Sequence, residues 1–144
     1  MGQRRGSVQA LRTPALNMRW NAPAGKPFKS IDHIQLAMPA GMESKARFFY
    51  GELLGMSEIP KPPKLAARGG VWFQSDTVFV HVGADLDFRP ALKAHPAFVC
   101  SDYAALVQRL RSQGVEILDD ERLADGRRHC YAADPFGNRI ELIE

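Results

Sequence analysis

Little in this sequence could staple a fold covalently or carry it across a bilayer. Cys100 and Cys130 are its only cysteines, they form no CxxC pair, and two are too few for a disulfide framework. A reduced, cytoplasmic setting is therefore expected. No apolar run approaches the roughly 20 residues that span a membrane, so no membrane partner is expected. Acids are missing from residues 1–30, which carry Arg4, Arg5, Arg12, Arg19, Lys26 and Lys29. The same stretch lacks the apolar core of a secretory signal and has only Ser7 and Ser30 as serines, too few to favour a transit peptide. It reads as a basic N-terminal arm, a flexible extension or a start placed early, with Met18 an alternative first residue. The net charge of +3 belongs to that arm, because residues 31–144 hold 13 basic and 16 acidic side chains. No basic cluster with interleaved aromatics follows, so a nucleic-acid interface is not expected. What remains, 45% apolar and 24% charged over 144 residues, is an ordinary globular composition for one domain or two small subdomains.

From Ile31 onward the text is periodic. Ile34, Leu36 and Met38 alternate with His33, Gln35 and Ala37, the period of a half-buried strand. Residues 43–54 follow with Ala46, Phe49, Tyr50 and Leu53 at helical spacing, closed by Gly55. Residues 60–70 (PKPPKLAARGG) read as a loop or edge segment, since paired prolines cannot serve a central strand. Residues 71–74 and 77–82 read as strands joined through Ser75-Asp76. After a linker near residues 85–89 the order repeats. Residues 97–101 form a strand, Asp102 a helix N-cap, and Tyr103, Leu106, Val107 and Leu110 a second stripe closed by Gly114. Strands over 115–118 and 128–132, the turn DPFGN and a last strand over 139–143 complete it.

Gly55 and Gly114 lie 59 residues apart, His81 and Glu141 60, and His33 and His95 62. One strand-helix-strand-strand-strand unit therefore occurs twice. This predicts an α+β fold of two βαβββ modules, about 31–84 and 94–144, pairing into a curved mixed sheet around a cleft within the domain 31–144. Strand parity sets His33 and Gln35, Phe79 and His81, and Glu141 on the faces opposite the aliphatic residues. A glutamate between isoleucine and leucine is costly to desolvate unless paired or bound to a metal. Two imidazoles and a carboxylate make an open divalent-metal site, so His33, His81 and Glu141 are the candidate ligands. Gln35, Phe79, and Phe98 with them, line a polar and aromatic wall. Arg128 or Tyr131 could reach a substrate anion or carbonyl. His129 reads as exposed or structural, and Cys130 has no activating neighbour.

The segments IDHIQLAMP, ARFFYGELLGM, GGVWF, VFVHVG, KAHPAFVCSD and the closing DPFGNRIELIE resemble the vicinal oxygen chelate superfamily. That superfamily includes glyoxalase I, fosfomycin-resistance transferases, methylmalonyl-CoA epimerase, extradiol dioxygenases and bleomycin-resistance proteins. The resemblance spans residues 31–144. It implies a metal held by the first and last strands of each half, with His33 at the first-strand ligand position and Glu141 at the last-strand carboxylate. His81 stands at the fourth-strand position, where glyoxalase I has a glutamate. Alignment through Asp102 puts Pro96 at the fifth-strand position, leaving His95 one residue away as a substrate-side or alternative ligand. The resemblance further implies a zinc, nickel, manganese or iron(II) ion that binds two neighbouring oxygens of a small substrate as a Lewis acid. Glu141 would then be the base of a lyase or isomerase. The same ligands serve an extradiol-type dioxygenase, and a metal-free branch is a non-catalytic binder of the bleomycin-resistance kind. Such relatives are often homodimers, some exchanging halves between chains.

Overall fold

The computed structural model describes residues 24–144, so most of the basic arm lies outside it. Ile31–Glu144 forms one compact unit. In chain order its elements are β1 (Ile34–Pro39), α1 (Glu43–Ala46) running straight into a wider coil (Arg47–Leu53), β2 (Ser57–Ile59), α2 (Pro63–Ala66), β3 (Val71–Ser75) and β4 (Val78–Asp85). The second half has β5 (Ala97–Val99), α3 (Tyr103–Ser112), β6 (Ile117–Asp119), β7 (His129–Ala133) and β8 (Arg139–Ile143).

These strands make two four-stranded mixed sheets. Sheet A runs β1-β4-β3-β2 and sheet B runs β5-β8-β7-β6. In each, the first strand pairs parallel to the last and the remaining pairs are antiparallel. The duplicated unit read from the sequence is thus one sheet per module. The two sheets share no strand pairing, so β1 and β2 are the edges of one and β5 and β6 the edges of the other.

Parity explains the core. Met38, Val71, Phe73, Val80 and Val82 from sheet A and Cys130, Ala132, Ile140 and Leu142 from sheet B belong to one buried cluster. The helical stripes enter the same cluster: Ala46, Phe49, Tyr50 and Leu53 from the first, Tyr103, Val107 and Leu110 from the second. Phe98 pairs with Leu142 and packs against this cluster, on the face away from the expected wall. Two short elements escaped the sequence reading: β2, and the single turn of α2 inside the proline loop, where Pro63 takes the first-turn position that needs no N–H.

The turn DPFGN ties the modules together. Asp134 accepts from the backbone N–H groups of Phe136 and Asn138, from the Asn138 amide and, at 2.7 Å, from the buried Tyr50 hydroxyl. Asn138 also donates to the Ala37 carbonyl at 2.7 Å. Gly137 has φ +89°, a conformation that side-chain-bearing residues adopt at a cost. Asp102 caps α3 through a 3.0 Å bond from the Ala105 N–H, as its position predicts.

Candidate metal and substrate site

Two clusters of donors stand on the faces turned away from the core. On sheet A, Gln35 of β1, His81 of β4 and Trp72 of β3 lie side by side in register. The His81 ring is sandwiched. Trp72 stacks on one face at 3.8 Å between centroids and 2° between planes, and His33 stacks at 4.1 Å and 19°. Burial, then the His33 ring beside it, pushes the His81 imidazole below its ordinary value. The ring is thereby kept neutral, the form that binds metals. His33 has its Nδ1 2.7 Å from the Asp32 carboxylate, which can only accept. That sets the proton on Nδ1 and turns Nε2 away from the carboxylate, the usual orientation of a ligating histidine. Gln35 lies across Gly83, where a Cβ would meet its amide at 2.6 Å. Phe79, opposite Gln74, completes this face.

On sheet B, Glu141 of β8 lies between Ala97 of β5 and Tyr131 of β7. His129 donates from Nδ1 to Glu141 Oε1 at 2.7 Å. His95 places Nε2 3.2 Å from Glu141 Oε2, while its Nδ1 lies 2.8 Å from the Lys93 carbonyl. A carbonyl cannot donate, so Nδ1 carries a proton. Nε2 is thus directed at a carboxylate oxygen, a contact that either an imidazolium proton or a shared cation would hold. Ligands about 2.0–2.2 Å from one ion are roughly 3.0–3.4 Å apart when adjacent, which brackets the observed separation. Tyr131 packs edge-on against both imidazoles.

The register revises the place of His95. His33 lies two residues before Gln35, the partner of His81, and His95 lies two residues before Ala97, the partner of Glu141. His95 is therefore the counterpart of His33 and shares the face of Glu141. The displacement through Asp102 arises in the β5–α3 connection and not in the strand.

His33 and His81 come together, and so do His95 and Glu141. The two groups do not meet within one chain: among the described residues no three His, Cys, Asp or Glu side chains converge on an ion. The physical reason is the shared core. Both sheets turn their aliphatic faces inward, so their polar faces point away from each other. Arg128 is also displaced from its expected role. It donates to Glu144 at 2.8 Å and lies over the Tyr103 ring, engaged on a groove of about 500 Å³ beside α3. A second groove, about 430 Å³, is lined by Leu54, Val78, Phe98, Cys100 and Arg109 and holds none of the candidate ligands. Sequence reasoning missed His129 and Trp72. His129 is buried beside Glu141, signalled only by its two-residue spacing from Tyr131. Trp72 was legible as the outward residue between Val71 and Phe73.

A family model, the Glyoxalase/Bleomycin resistance protein/Dioxygenase superfamily, matches residues 30–142. The chain belongs to this superfamily. A putative glyoxalase family protein from Bacillus anthracis is similar to it at 46% identity and TM-score 0.79, over 83% of this chain and 98% of that one. A genomically encoded fosfomycin resistance protein from Listeria monocytogenes aligns at 18% identity and TM-score 0.65, over 81% and 93%. A lactoylglutathione lyase from Agrobacterium tumefaciens aligns at 20% and 0.61, over 83% and 96%. The last two bear on the fold alone. No curated protein matches the chain. The superfamily's two-module plan is the duplicated sheet seen here, and no helix of the described residues is long and apolar enough to cross a membrane.

Proposed function

We propose that this superfamily member is a divalent-metal-dependent lyase or isomerase acting on a small molecule through two neighbouring oxygens. The supporting observation is the close approach of His95 Nε2 to Glu141 Oε2 at 3.2 Å, a separation that two ligands of one ion would also have. His33, oriented by Asp32, and the stacked His81 provide two neighbouring imidazoles on the other sheet. Since one chain does not bring the two pairs together, the centre takes His33 and His81 from one copy and Glu141, with His95, from a second. The open edges of β1 and β5 support that homodimer, as unpaired strands are templates for another chain.

When bound, the ion supplies Lewis acidity toward the substrate's oxygens. The chain's own residues do the rest. His129 fixes the Glu141 carboxylate through Oε1, and Oε2, beside His95, is the oxygen that would take a proton from a substrate carbon. Gln35, Phe79 and Tyr131 bound the space a substrate would occupy.

One observation favours a second reading, a non-catalytic binder. With His95 as the imidazolium, both Glu141 oxygens are satisfied by the chain's own histidines. Elemental analysis of protein purified without chelator separates these readings. Nickel, zinc or manganese supports the lyase or isomerase, iron an extradiol-type dioxygenase, and none the binder. If His33→Ala and Glu141→Ala both keep full metal content, the proposed centre is wrong.

A further inference from the structure

The outer face of sheet B carries a cation that none of this chemistry uses. Arg139 opens β8 and lies opposite Ala133, with its guanidinium 5.2 Å above the Tyr131 ring. Arg47, Arg111, Arg127 and Arg128 each hold a carboxylate. The Arg139 guanidinium forms no hydrogen bond or ion pair among the described residues. The acid nearest along its own strand face is Glu141, whose two oxygens are engaged by His95 and His129. The contact with the Tyr131 ring uses none of the guanidinium's N–H donors, which can take a carboxylate or phosphate in a two-point grip. Residues i and i+2 of a strand stand about 6.6–6.8 Å apart on one face, so an anion on Arg139 lies a few bonds from any oxygen held beside Glu141.

We propose that Arg139 determines specificity by receiving an anionic group of the substrate, making that substrate a small carboxylate or phosphate ester whose charge lies three to four bonds from its chelating oxygens. This rests on the proposed metal centre, and the test separates the two. Acetohydroxamate and the monohydroxamate of succinic acid share one chelating group and differ by a carboxylate. Titrated into nickel-loaded full-length protein, the succinate compound should bind at least about tenfold tighter. In Arg139→Gln that advantage should vanish while acetohydroxamate affinity stays within about twofold. An advantage that survives in Arg139→Gln, or is absent from the wild type, overturns the proposal. So does a variant whose sedimentation shows lost assembly, since Arg139 would then pair with another copy. If the protein holds neither nickel nor acetohydroxamate, the metal centre fails by itself. Succinate and succinamide are then titrated into the metal-free protein, and only succinate binding abolished by Arg139→Gln sustains the role of Arg139.

Discussion

Single residues on these two sheets differ in how much of their surroundings they command. Glu141 is held by two imidazoles, and His129 is the one that restrains it without facing an acceptor. His129→Ala should leave the fold intact but lower metal affinity by about 10- to 100-fold, the usual cost of losing a partner that orients a ligand, measured by competition with a chromophoric chelator. The thiols behave oppositely. Burial pushes both Cys100 and Cys130 up, and Cys130 is fully buried. Alkylation by iodoacetamide at pH 7.5 should be slow for Cys100 and undetectable for Cys130 until denaturant is added. At the chain's end, hydrogen bonds from Arg128 hold the Glu144 carboxyl at about 2. A depressed carboxyl stabilises above its ordinary value of 4.5, and that contribution is lost as pH falls through 4.5 toward 2. The Tm gap between wild type and Glu144→Gln should therefore be present at pH 7 and closed by pH 2.

Among the elements, the DPFGN turn joins the halves. Asp134→Ala leaves the Tyr50 hydroxyl and the Asn138 amide without their acceptor in a buried setting, and should cost about 3 kcal/mol in urea unfolding. Tyr50→Phe removes one of four donors and should cost about 1 kcal/mol. This turn and β8 were legible in sequence, because Ile140 and Leu142 alternate cleanly with Arg139, Glu141 and Ile143 and the turn chemistry is local. So were the helical stripes, every buried position of which follows from 3.6-residue spacing. The wide coil over Arg47–Leu53 was not, since the same stripe serves either winding. β2, with three residues, is too short for alternation to register. The ligand faces were readable for the same reason as β8, since parity is a property of one strand. Which faces meet depends on how two sheets share a core, and no strand's periodicity encodes that.

Considered as a whole, the molecule keeps both candidate half-sites on its outside and leaves the first strand of each sheet as an unpaired edge. Sedimentation equilibrium should show self-association, and Val99→Lys on the exposed edge of β5 should weaken it at least about tenfold without unfolding the chain. A reciprocal arrangement has a counting consequence. His33→Ala and Glu141→Ala proteins should each lack metal alone. Mixed, unfolded and refolded together, half the dimers would be hybrids, each with one intact site, so about a quarter of the wild-type metal should return. No recovery would place both donors within one copy.

Gly83 lies on β4 two residues beyond His81, and the Gln35 amide lies across it. Any larger residue there would lift the amide off the strand and into the space beside the imidazoles. The width of the passage to the donors is thus governed by a side chain that is not present, and enlarging it to alanine should narrow the range of molecules admitted before it disturbs the donors themselves.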